Sequence, residues 1–102
     1  MRVLLLESCN TNISSAKEYG DIVQVFVRQR PSIWTVGFVD ALLARLNELK
    51  YNVDEDYFLV VGPQVPITMA IATLVKHYKT PRLLFWDAVR KHYTTWSIPN
   101  AV

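Results

Sequence analysis

The sequence is poor in the residues that build disulfide frameworks and metal sites, with one cysteine and two histidines among 102 residues. Cys9 alone excludes a disulfide framework within one chain and fits the reducing cytosol, so we expect a cytoplasmic protein. His77 and His92 have no second ligand at the spacing of a metal site, and we expect no metal. The chain also lacks a P-loop, a dinucleotide-type glycine triplet and a G-x-S-x-G motif, so we expect no cofactor.

An excess of charge and a long apolar run are also missing. The 11 Lys and Arg residues stand against 9 Asp and Glu residues, a net charge of +2. Proteins that bind long duplex nucleic acid usually carry a strong basic excess, so we expect no such partner, whereas a small anionic ligand remains compatible. No run approaches the roughly 18 apolar residues of a membrane span, and the N-terminal run is too short for a signal peptide.

Apolar residues are nevertheless abundant. They make up 51% of the chain and include three Trp, five Tyr and four Phe. A domain of this length buries roughly 65% of its unfolded surface, which leaves more apolar surface than so small a core hides. The surplus suggests a self-association interface or a covered groove, and we expect a homodimer.

Apolar periodicity predicts one α/β domain over residues 1–102, with a mainly parallel sheet of about five strands in three layers. The five residues "DAVRK" between the last two strands predict an antiparallel hairpin at an edge. The order of the strands is not fixed by the pattern. The predicted strands are residues 3–6, 22–27, 58–61, 83–86 and 92–98, and the helical patterns fall in residues 39–49 and 67–78. Residues 8–20 are polar, and we expect a short helix within them that is capped by Asn12 or Ser14, ends near Tyr19 and stops at Gly20.

Polar residues follow three of the predicted strands. In parallel sheets, ligands bind beyond the carboxyl ends of the strands, so these loops form a candidate site if they share one rim. The helix that follows the third strand offers unpaired N–H groups and a partial positive charge, which suit phosphate. The candidate residues are Ser8, Asn10 and Asn12 after the first strand, Arg28 and Arg30 after the second, and Gly62, Gln64 and Thr68 after the third.

Each of these loops also has a purely structural interpretation. Gly62 and Pro63 serve a turn and a helix start, as at most strand-to-helix corners. Asn10 and Asn12 are common turn residues whose side chains bond the local backbone. The arginines are compatible with solvated loop charges. The functional interpretation depends on the three loops meeting at one rim.

The stretches "VLLLESCN", "YFLVVGPQVPITMAIATLVKHYKTPRLLFWD" and "HYTTWSI" resemble the small CRISPR-associated ring-nuclease-type proteins of type III systems. The resemblance implies a Rossmann-like domain related to the cyclic-oligoadenylate-sensing domains. It implies binding of cyclic oligoadenylate across a homodimer cleft and metal-independent cleavage by the ribose 2′-hydroxyl.

On this interpretation Ser8, Asn10 and Arg28 carry the chemistry, and the other candidate residues hold the ligand. The "ESCN" loop has no histidine and no general acid is identifiable, so binding is better supported than cleavage. The alternatives are a non-catalytic module that binds a nucleotide or cyclic messenger, and a protein-interaction subunit without a ligand.

Overall fold

Five strands form one mixed sheet in the computed structural model, which describes residues 1–96. The spatial order is β2-β1-β3-β4-β5. Strands β1 to β4 are parallel, and β5 pairs antiparallel with β4. The strands are β1 (Arg2–Glu7), β2 (Asp21–Phe26), β3 (Tyr57–Leu59), β4 (Arg82–Asp87) and β5 (His92–Trp96), and the helices are a 3₁₀ helix (Ser14–Tyr19), α1 (Val36–Glu48) and α2 (Gln64–His77).

The predicted α/β fold, with its mainly parallel sheet and antiparallel edge hairpin, is confirmed. Strand β3 is shorter than predicted and ends at Leu59, although the N–H of Val60 still donates to the carbonyl of Leu84 at 2.9 Å. Helix α2 begins at Gln64, so Thr68 lies inside the helix and not at its start as predicted. Residues 97 and 98, the predicted end of β5, lie outside the described residues.

Helices cover the two faces of the sheet unequally. The connections β1–3₁₀–β2 and β2–α1–β3 run in opposite directions along the sheet, so right-handed crossovers place them on opposite faces. Helices α1 and α2 pack on one face, and only the 3₁₀ helix packs on the other. The larger cluster contains Leu4, Leu6, Val25, Phe38, Leu42, Leu46, Phe58, Ile67, Ala70, Leu74 and Leu83, and the smaller contains Val3, Leu5, Ala16, Tyr57, Leu59, Leu84 and Tyr93.

Backbone carbonyls of both edge strands accept hydrogen bonds from side chains of the same chain. Arg45 donates from Nε to the carbonyl of Val25 at 2.7 Å and from Nη2 to that of Gln24 at 3.4 Å. At the other edge the Tyr19 hydroxyl donates to the carbonyl of Tyr93 at 2.9 Å. An unprotected edge strand is a template for pairing with another chain, and we expect these side-chain contacts to hinder that pairing.

Replacing Arg45 with alanine is expected to expose the outer edge of β2. The loss of charge-assisted hydrogen bonds should cost about 1–3 kcal/mol, and the freed carbonyls should promote species larger than those of the wild type. Urea denaturation and light scattering after gel filtration measure both effects. Arg28→Ala, which removes the same charge from an exposed loop position, is the control. Identical elution of the two variants would show that Arg45 does not protect this edge.

No helix within residues 1–96 combines the length and the apolar character that are needed to cross a membrane.

Candidate functional site

The carboxyl ends of β1 to β4 share one rim of the sheet because these strands are parallel. The chain leaves β1 toward one face and β3 toward the other, so the gap between these two strand ends is the topological switch point. A cavity of about 340 Å³ lies there, between the loop after β1 and the loop after β3. This rim cavity is lined by Ser8, Cys9, Asn10, Thr11, Gly62 and Pro63.

The loop after β1 presents polar groups to the rim cavity. Ser8, Asn10 and Thr11 are exposed there, because the apolar strand ends at Glu7 and the chain turns away from the core. Cys9 is half-buried against the smaller core cluster, and its thiol lies 3.8 Å from the carbonyl oxygen of Thr11. The loop therefore offers two hydroxyls and one amide without any charge.

Asn12, by contrast, has a structural role. Its Oδ1 accepts hydrogen bonds from the backbone N–H of Ser14 at 3.0 Å and from the Ser14 hydroxyl at 2.8 Å. This arrangement starts the 3₁₀ helix, as expected for an asparagine side chain that mimics a backbone turn. Asn12 does not line the rim cavity.

The loop after β3 contributes a glycine and a helix start. Gly62 has a φ of +130°, and a Cβ there would meet only the Ile67 side chain at 3.8 Å. The glycine therefore serves the backbone conformation and not a shortage of space. Pro63 caps α2 without a side-chain hydrogen bond, and the first turn contains no acidic residue. The helix supplies no partner for the N–H groups of Gln64 and Val65.

Two further candidates on α2 do not line the rim cavity. The Thr68 hydroxyl donates to the carbonyl of Gln64 at 2.8 Å, so it is bound to its own helix. The Gln64 side chain is exposed. Of the α2 residues proposed from the sequence, Gln64 therefore remains close to the cavity through its position next to Pro63.

The two arginines are not brought into the rim cavity. Arg30 forms an ion pair with Glu7, with Nε 3.1 Å from Oε2, and its Nη1 donates to the Pro31 carbonyl. Its charge is therefore balanced by the residue that precedes Ser8. Arg28 lines a different cavity of about 490 Å³ between β2 and α1. Both arginines lie on the loop that follows β2, at the same rim.

Within residues 1–96 no three His, Cys, Asp or Glu residues are grouped so that they could hold a metal ion.

Sequence reasoning missed Thr11 as a lining residue. Its position in the polar loop directly after β1 was the available signal. Tyr93 belongs to the smaller core cluster and does not line the rim cavity; its buried hydroxyl has no hydrogen-bond partner among the described residues, and burial raises its pKa.

The crossovers on both faces define an open, doubly wound α/β domain. Its cavity lies at the switch point, where sheets of this class usually bind ligands. The family model described as phage Pam3 gp32-like protein matches residues 7–100, and the chain belongs to that family. No curated protein and no solved structure matches the sequence.

The resemblance to CRISPR-associated ring-nuclease-type proteins is therefore wrong, because the family that matches is a phage protein family. The stretches behind it are an apolar strand, a Gly-Pro corner and an apolar helix, which many α/β domains share and which indicate fold rather than function. The expected role in CRISPR antiviral defence falls with it. Ring cleavage by Ser8, Asn10 and Arg28 was implied by that resemblance, and Arg28 does not line the rim cavity.

Proposed function

We propose that this protein binds a small phosphate-bearing ligand in the rim cavity, without chemical conversion. The observation that supports this most is the cavity at the β1/β3 switch point, whose lining within residues 1–96 contains no carboxylate. Open α/β sheets bind their ligands at such switch points. Its volume of about 340 Å³ fits a small ligand.

The chemistry of the lining favours an anion. The hydroxyls of Ser8 and Thr11 and the Asn10 amide are neutral hydrogen-bond donors. The start of α2 beside Pro63 adds free backbone N–H groups and the positive end of the helix dipole. Together these groups suit a phosphate that shares its charge over several oxygens.

The same lining offers little for catalysis. Cys9 is the strongest potential nucleophile, and neither His77 nor His92 lines the rim cavity with it. A nucleophilic cysteine requires a neighbouring base or a positively charged environment. The donor set therefore supports binding.

Titration of ¹⁵N-labelled protein with inorganic pyrophosphate at low salt tests the proposal. We expect amide shifts at residues 8–11 and at Gln64 and Val65. Asn10→Asp should weaken binding about tenfold, because a carboxylate beside the phosphate repels it. Asn47→Asp makes the same substitution at an exposed position of α1. Equal affinity in both variants, or shifts confined to other regions, would overturn the proposed site.

A second candidate function is self-association, because all three tryptophans are substantially exposed. The exposed fractions are 85% for Trp34, 48% for Trp86 and 46% for Trp96. Since side chains occupy backbone carbonyls at both edges of the sheet, we propose that a second copy packs against an exposed face instead of extending the sheet. Analytical ultracentrifugation of the wild type measures its oligomeric state directly. A protein that remains monomeric at a concentration of about 100 micromolar would contradict the proposal.

A further inference from the structure

A second cavity adjoins the rim cavity on the face that carries the 3₁₀ helix. This side cleft has a volume of about 460 Å³ and lies between the 3₁₀ helix and the strands β1 and β2. Thr11 lines both cavities, so the two lie on either side of, or next to, that one residue. The side cleft is lined by Leu5, Thr11, Asn12, Ile13, Ser14, Lys17, Ile22 and Gln24.

The side cleft combines an apolar floor with a few polar groups. In the sheet register Val3 pairs with Ile22 and Leu5 pairs with Gln24, so Leu5, Ile22 and Gln24 share one face. The Gln24 amide nitrogen donates to the carbonyl of Phe26 at 2.7 Å. Its amide oxygen is the atom that remains as a hydrogen-bond acceptor for a ligand. A flat, apolar ring that carries an exocyclic hydrogen-bond donor would match the apolar floor and the Gln24 amide oxygen.

The charged side chains that line the two cavities also indicate which ligands the cavities favour. Among residues 1–96, Lys17 is the one charged side chain that lines either of them, and it is exposed on the 3₁₀ helix. No carboxylate among the described residues lines either cavity. The combined surface therefore favours a ligand that carries negative charge at one end and an apolar ring at the other.

We propose that the ligand extends past Thr11 from the rim cavity into the side cleft, and that its class is a nucleoside phosphate. The phosphate lies at the rim with the N–H groups of α2, and the base lies on Leu5 and Ile22. The inference rests on the proposed function, because it places the phosphate at the same rim cavity. It adds the base and its cleft, which the rim cavity alone does not specify.

Comparing pyrophosphate and ADP in ¹⁵N-resolved titrations tests the inference. ADP should bind at least tenfold more tightly than pyrophosphate, since the base adds buried apolar contact. ADP should also shift the amides of Lys17, Ile22 and Gln24, which pyrophosphate should leave in place.

A matched pair of variants separates the base from the phosphate. Ile22→Thr keeps a β-branched residue in β2 but removes part of the apolar surface of the side cleft. It should lower the affinity for ADP about fivefold without changing the affinity for pyrophosphate. Val23→Thr makes a similar change at the next position, which points to the other face of the sheet. It should leave both affinities unchanged, and unaltered pyrophosphate binding in both variants shows that the fold is intact.

The outcomes distinguish the two claims. Binding of pyrophosphate at the rim, with ADP no tighter and no shift at Ile22 or Gln24, overturns the side-cleft inference and leaves the proposed function standing. Absence of binding by both pyrophosphate and ADP overturns both. Equal loss of ADP affinity in Ile22→Thr and Val23→Thr also contradicts the side cleft as the place of the base.

Discussion

Replacing Gly20 with alanine is expected to destabilise the fold by about 3 kcal/mol or more. Gly20 ends the 3₁₀ helix with φ 145° and ψ 175°, a backbone conformation that only glycine adopts readily. A Cβ there would lie 2.6 Å from the carbonyl oxygen of Met1, which is backbone and adjoins β1. Neither the strain nor the clash can be relieved by turning a side chain.

The control is Gly37→Ala in the first turns of α1. Gly37 has room for a methyl group, with the Thr35 hydroxyl oxygen 3.4 Å from the added Cβ. Alanine favours the helix, so this variant should be more stable by about 0.5 kcal/mol. Urea denaturation of both variants measures the difference. Similar free energies of unfolding would show that the turn at Gly20 tolerates a side chain.

Replacing Asp56 with asparagine is expected to cost about 3 kcal/mol at neutral pH. The carboxylate is almost fully buried, and it accepts hydrogen bonds from the backbone N–H of Arg2 at 3.1 Å and of Asn52 at 2.9 Å. Arg2 also forms an ion pair with it at 3.0 Å. An amide turns one acceptor into a donor that faces these N–H groups. Asp40→Asn, at an exposed position of α1, should change stability by less than about 0.5 kcal/mol.

The same carboxylate makes stability depend on pH. Burial alone would raise the pKa of Asp56, but the hydrogen bonds from Arg2 and Asn52 and the charge of Arg2 outweigh it, and the pKa is lowered. A lowered pKa stabilises the folded state above the unfolded value of about 3.9 and loses that effect as the pH falls through the folded pKa. The free energy of unfolding should therefore drop less in Asp56→Asn than in the wild type between pH 5 and about pH 2. Equal slopes would show that Asp56 is not the acid-sensitive group.

Much of the fold could be predicted from the sequence because strand and helix periodicities differ. The alternation from His92 onward and the apolar stripe from Ile67 were sufficient to identify an edge strand and α2. The start of α2 was placed too late. Pro63 caps the helix without a side-chain hydrogen bond, so the sequence has no typical cap residue that marks the helix start. Gly20 was correctly predicted to end the short helix.

The candidate site was less predictable because it depends on strand order. Ser8, Asn10 and Gly62 share a cavity only because β1 and β3 are neighbours. The pairing of Arg30 with Glu7 likewise requires β2 to lie beside β1. Local pattern does not reveal whether a loop arginine will be neutralised by a residue 23 positions earlier.

The parallel arrangement of β1 to β4 also decides at which end of the molecule Met1 lies. Met1 directly precedes β1 and is 71% exposed, at the rim opposite the cavity between β1 and β3. A biotin or affinity tag attached to Met1 would lie at the end of the domain that is opposite the rim cavity. Protein immobilised on a sensor surface by that tag presents its cavity to the flowing solution.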